Sequence, residues 1–95
     1  MMFMVEAQLK CGVTRREIQE VRRRWTTQGK ERQLKKWCRS VQRYVVAGSS
    51  PRRVFWLLET KDPAAVELLA DHFGELWNLT TWVVLPQTII QAVGR

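Results

Sequence analysis

Apolar and polar residues alternate from Met1 to Lys10. Met1, Phe3, Val5, Ala7 and Leu9 make one wholly apolar face, and Met2, Met4, Glu6, Gln8 and Lys10 make the other. A period of two predicts a strand with one face on a core and a mixed face elsewhere. Cys11-Gly12 turns the chain, and the period then changes. Ile18, Val21 and Trp25 recur at helical spacing, with Arg15, Arg16, Arg22, Arg23 and Arg24 between them, mostly facing water. Thr14 and Glu17 have the spacing of a capping box, and Val13 and Ile18 that of a hydrophobic staple, so a helix begins just after Thr14. Beyond Gly29, Leu34, Trp37 or Cys38, and Val41 resume a helical period. Carrying one helix through Gly29 would cost ~1 kcal/mol. A break with a second short helix from about Lys30 is the expected arrangement.

The second half is organised around Arg53 to Glu59. Five consecutive apolar residues, Val54 to Leu58, stand between the turn Gly48-Ser49-Ser50-Pro51 and the helix start Asp62-Pro63. A run that short, aromatic and bounded by breakers predicts a strand buried on both faces. Arg43 to Ala47 is expected to be the strand before it, joined through a hairpin loop. After Asp62 as N-cap and Pro63 at the first helical position, Ala65, Leu68, Leu69 and Phe73, with Leu76, mark the buried stripe of a helix that Gly74 stops. Leu79 to Leu85 is the last expected strand, ended by Pro86. The tail carries Ile89, Ile90 and Val93, apolar enough to pack on a neighbour.

The order is βαββαβ, which predicts an α+β, ferredoxin-like fold: a four-stranded antiparallel sheet with two helices on one face. Those helices can hide only one face. Phe55 and Leu57 lie opposite Val54, Trp56 and Leu58; Trp82 and Val84 lie opposite Leu79, Val83 and Leu85; Met2 and Met4 lie opposite Phe3 and Val5. Leaving such side chains in water forfeits ~1.5–3 kcal/mol each, and a large exposed apolar patch marks an interface. Twofold pairing of sheet on sheet is the expected solution, making the protein a homodimer.

Length and charge refine this picture. Ninety-five residues suit a single domain, with residues 30–42 as a basic helical insertion. The formal charge of +7 is uneven: residues 10–53 hold fourteen Lys and Arg against three Glu, +11, and the remainder is −4. Such asymmetry fits either an acidic partner, nucleic acid included, or the solvated face of a long helix. No stretch is long and apolar enough for a membrane span, and the opening MMFMV has no cleavage site after it, so a cytoplasmic protein is expected. Cys11 and Cys38 lack metal or redox spacing and are expected to be free thiols.

Two pieces of the chain carry a family resemblance. One is the opening MMFMVEAQLK. The other runs from Val46-Ala47-Gly48 through a strand, Glu59-Thr60-Lys61-Asp62, a helix with Leu68-Leu69, and a closing strand ending at Pro86. In these the chain resembles the dimeric α/β-barrel superfamily, and muconolactone-isomerase-like proteins or a related small uncharacterised family in particular. The likeness departs between Gly29 and Tyr44, where extra basic residues stand. It implies two sheets enclosing a small barrel, in a superfamily whose members include isomerases, cofactor-free oxygenases and heme-degrading enzymes.

Candidate chemistry is sparse. Glu6 is the one acid on the first strand, on the face assigned to the dimer cavity. A carboxylate in an apolar cleft can shuttle protons, because burial disfavours its charged form; an edge glutamate paired with an Arg is the plainer alternative. Tyr44, Trp56 and Trp82 are strand aromatics that would line the pocket or pack the core, and Trp25, Trp37 and Trp77 would anchor helices or seal the fold's ends. His72, the single histidine, reads as structural or solvated. With no second histidine, no metal site is expected, and no cofactor is called for. The scattered glycines exclude a phosphate-cradling loop, and no Ser or Cys sits in a nucleophile elbow.

These observations favour a small organic molecule bound or converted in an apolar inter-sheet cavity, by isomerase- or oxygenase-like chemistry, with Glu6 as acid/base and Tyr44, Trp56 and Trp82 lining the site. Nucleic-acid binding through Arg22, Arg23 and Arg24 is the alternative: phosphate contact without sequence readout, since the aromatic signature of RNA-binding sheets is absent. A structural interaction module with a filled barrel is the third reading.

Overall fold

The computed structural model describes residues 1–85; the Pro86 stop and the apolar tail residues Ile89, Ile90 and Val93 lie outside the described residues. The chain runs β1 (Met2–Leu9), α1 (Arg15–Thr27), α2 (Lys30–Trp37), β2 (Cys38–Val45), β3 (Arg53–Thr60), α3 (Ala64–Phe73) and β4 (Trp77–Val84). The strands form one antiparallel sheet in the order β2-β3-β1-β4. That is the ferredoxin-like arrangement, with the expected first helix divided in two.

Local chemistry explains the divisions. Thr14 Oγ1 accepts the Glu17 amide, and the Glu17 carboxylate accepts the Thr14 amide at 3.0 Å, closing the capping box. Gly29, at φ 70°, supplies the left-handed residue that separates α1 from α2. At α3 the Asp62 carboxylate accepts the Ala64 amide at 2.9 Å, but the N-cap expected at Asp62 is Pro63, and the helix begins one residue later, at Ala64. Leu34 is buried, but the helical period ends at Trp37, and Val41 stands in β2 paired with Leu58. β2 therefore begins five residues before the expected Arg43. As an edge strand rich in polar residues, CRSVQRYV, it has little alternation for a period to reveal. β4 likewise begins at Trp77, two residues early.

The helices cover one face of the sheet. Phe3, Val5 and Ala7 of β1 and Val54, Trp56 and Leu58 of β3 are buried there, against Val21 and Trp25 of α1, Leu34 of α2, and Ala65, Leu69 and Phe73 of α3. Register carries the alternation across the sheet: Val5 pairs with Trp56 and Thr81, while Glu6 pairs with Phe55 and Thr80. The second face thus presents Met2, Met4, Phe55, Leu57, Trp82, Val84 and Tyr44, with no helix over them. It is apolar and partly exposed, as the two-faced hydrophobic pattern predicts; Tyr44 is 54% and Trp82 42% exposed.

Candidate functional site: an aromatic pocket between helix and sheet

β3 divides the expected site residues between two faces. Glu6, Tyr44 and Trp82 stand on the open face; Trp56, only 7% exposed, stands on the helix face beneath α1 and α3. Grouping Trp56 with the other three is corrected by the sheet register. Trp56 pairs with Val5, whose side chain enters the core, and successive strand residues point to opposite faces. Phe55 and Leu57 are the β3 residues that share a face with Glu6.

Glu6 itself is paired. Arg53 Nε lies 2.9 Å from Glu6 Oε2, without the alignment of a hydrogen bond, and both side chains are partly exposed. That is the edge ion pair weighed as the plainer alternative. Tyr44 donates its hydroxyl to Gln42 Oε1 at 2.6 Å on the same face.

The residues that enclose a cavity lie on the other side of the sheet. A pocket of about 150 Å³ opens between α1 and the strands. Its buried walls are Trp25 of α1, Val54 and Trp56 of β3, Phe73 of α3 and Trp77 of β4; Arg22, Glu31 and Arg43 are exposed at its mouth. The walls are braced by one another: Phe73 lies 4.9 Å from Trp25 and 5.5 Å from Trp56 between ring centroids, tilted at 45° and 33°. Tilted pairs at these separations are favourable because ring edges and faces carry opposite partial charge. The Arg43 guanidinium stands 5.9 Å from the Trp56 ring centroid, within cation–π range. Burial pushes its pKa down, Arg22 and Arg52 push the same way, and Glu31 opposes them.

His72 braces the pocket from behind, 5.1 Å from Trp25 and 4.9 Å from Phe73 between ring centroids. Its Nε2 lies 2.7 Å from the Val21 carbonyl and its Nδ1 2.9 Å from Lys30 Nζ. A carbonyl only accepts and an ammonium only donates, so the neutral tautomer with hydrogen on Nε2 satisfies both. Burial lowers the His72 pKa, the Val21 hydrogen bond opposes that, and Lys30 and Arg24 lower it further. In the unfolded chain the imidazole titrates near ~6.5. Below that value the unfolded state binds more protons, so His72 makes stability fall as pH drops from ~6.5 towards its lower folded value. Urea midpoints at pH 7.5 and 5.5 should show that loss, and His72→Gln, which keeps a donor for Val21, should reduce it. An unchanged difference in His72→Gln would overturn the assignment.

Among the described residues no cluster of three or more His, Cys, Asp and Glu is placed to hold a metal ion. No helix among them is long and apolar enough to cross a membrane. Cys11 is exposed and Cys38 buried, both as free thiols. Of the three consecutive arginines of α1, Arg22 reaches the pocket mouth, while Arg23 and Arg24 both approach Glu20 Oε1, at 2.6 and 3.9 Å.

The sequence profile described as "Domain of unknown function (DUF3303)" matches residues 1–94. The chain belongs to this family. No curated protein matches it. Among solved structures it is similar to the Arabidopsis thaliana protein At3g17210, at 16% identity and TM-score 0.55, over 95% of this chain and 98% of that one. A candidate antibiotic biosynthesis monooxygenase from Deinococcus radiodurans gives 8% and 0.52, over 97% and 100%. The hydroxynitrile lyase of Passiflora edulis gives 7% and 0.51, over 93% and 96%. At such identities the likeness is one of fold. It extends the resemblance seen in the sequence to a broad structural class, without singling out the muconolactone-isomerase branch.

The sequence pointed to Trp56 and Arg22 but joined them to no common site. It gave Trp25 and Trp77 the part of anchoring helices or sealing the fold's ends, and put Arg43 at the start of a strand. What could have linked them is parity: Trp77 has the same strand parity as Leu79 and Val83, already assigned opposite Trp82.

Proposed function

We propose that this chain is a homodimeric protein that binds a small organic molecule in the aromatic pocket beneath α1. The observation that carries the reading is the pocket: four aromatic side chains and Val54 enclose about 150 Å³ behind a charged mouth. Ligand sites are typically concave and mostly apolar, with a few polar groups that orient the occupant. The names of two neighbours, a hydroxynitrile lyase and a candidate antibiotic biosynthesis monooxygenase, support a small-molecule class at the level of fold. The apolar second face of the sheet supports the dimer, with the Glu6–Arg53 pair and Tyr44 inside the interface. Glu6 then helps to set the interface rather than serving the pocket, which lies across the sheet from it.

Indole N–H resonances of 15N-labelled protein, assigned with single Trp→Phe variants, test the site during titration with benzyl alcohol. Trp25, Trp56 and Trp77 should shift while Trp82 and Trp37 stay. Shifts confined to Trp82 would move the site to the open face, and no shift at any tryptophan would remove the pocket reading.

A further inference from the structure

The pocket combines a volume, a wall and a mouth, and each narrows the ligand. An apolar cavity of about 150 Å³ is known to accept benzene. A volume of about 150 Å³ here therefore suits one six-membered ring. The wall is made of Trp25, Trp56, Phe73 and Trp77, whose flat faces and edges favour a planar apolar partner.

The mouth selects charge. Arg22 and Arg43 both border the pocket, and neither belongs to an ion pair among the described residues, although Arg23, Arg24, Arg39 and Arg53 each do. Glu31 is the one acid at the mouth, and its ion pair is with Lys35 of its own helix. Two guanidiniums at the rim of an aromatic-walled recess repel each other; burial does most to lower the Arg43 pKa, and Arg22 adds to it. An anion between them removes that repulsion. A guanidinium offers a planar fork of donors that matches a carboxylate.

We propose that the pocket takes a single-ring aromatic carboxylate, with its ring among Trp25, Trp56, Phe73 and Trp77 and its carboxylate between Arg22 and Arg43. This rests on the pocket being the ligand site, and deepens that reading by naming a ligand class. The same two cations could serve a free inorganic anion, and the experiment separates these sources.

Calorimetric titrations of the full chain at fixed ionic strength would compare benzoate, benzyl alcohol, benzylamine, acetate and inorganic phosphate. Charge-assisted hydrogen bonds lead to benzoate binding about 10- to 100-fold tighter than benzyl alcohol, with benzylamine weakest of the three ring compounds. Arg43→Gln should collapse the ratio of benzoate to benzyl alcohol affinity, both measured on that variant, to within about 3-fold. Arg43 is exposed on an edge strand, and an unaltered near-ultraviolet circular dichroism spectrum would establish that the variant is folded. Benzyl alcohol binding as tightly as benzoate would overturn the carboxylate assignment and keep the pocket. Acetate or phosphate matching benzoate would overturn the aromatic assignment, leaving a simple anion patch. Failure of every ring compound would overturn both the inference and the pocket reading beneath it.

Discussion

Replacing Leu57 with glutamate is expected to yield a folded monomer where the unaltered chain sediments as a dimer. Leu57 stands on the open face of β3, paired with Met4 on one side and Gln42 on the other, so it occupies the middle of the proposed interface. Twofold symmetry makes one substitution act twice. Losing Leu burial forfeits up to ~1.5–3 kcal/mol on each side, and each buried carboxylate adds a desolvation cost. Together these weaken association by at least ~100-fold. The protomer should survive, because Leu57 points away from the core that Val54, Trp56 and Leu58 build. Sedimentation across a concentration series, with circular dichroism alongside, gives the answer. A dimer that persists in Leu57→Glu, or an unaltered chain that never dimerises, would end the sheet-to-sheet account.

Leu69→Ala should be the most damaging single truncation in α3. Leu69 is 0% exposed, packed between α3 and the sheet, while its neighbour Leu68 is only partly buried. Truncating a buried leucine costs ~2–5 kcal/mol, the lost transfer energy plus the cavity left behind. That is a large share of the ~5–15 kcal/mol that holds a domain folded. Leu68→Ala should cost clearly less. Urea unfolding of both variants decides it, and equal losses would mean that the buried stripe of α3 is centred between the two residues rather than on Leu69.

The two predictions draw on different kinds of information. The buried stripe of α3 was readable because Ala65, Leu69 and Phe73 repeat at the helical period beside an Asp-Pro start. The open apolar face was readable because strand parity makes Phe55 and Leu57 face away from Val54, Trp56 and Leu58, and one layer of helices cannot cover both sets. β2 was legible only in part. Its polar residues give no alternation, and its identity as a strand from Cys38 depends on backbone pairing with β3, a contact between distant residues that no local period encodes.

The pocket shows the same limit more strongly. Its residues come from α1, α2, β2, β3, α3 and β4. Each reads locally as something ordinary: Trp25 as a helix anchor, Trp77 as a seal, Arg43 as a basic strand residue. Glu6 stood out because it is the one acid in its strand, yet Arg53, forty-seven positions away, turned out to be its partner.

By itself, the sequence determined the order of elements, the capping box at Thr14, the break at Gly29 and the two-faced apolar sheet. All of these follow from interactions between near neighbours in the chain, where spacing alone sets the geometry. Which side of the sheet holds the pocket, and which aromatics meet there, was decided by the register of β1 against β3 and the seating of α1 and α3 on that face. Those are long-range packing choices, fixed only when all the buried side chains are fitted together at once.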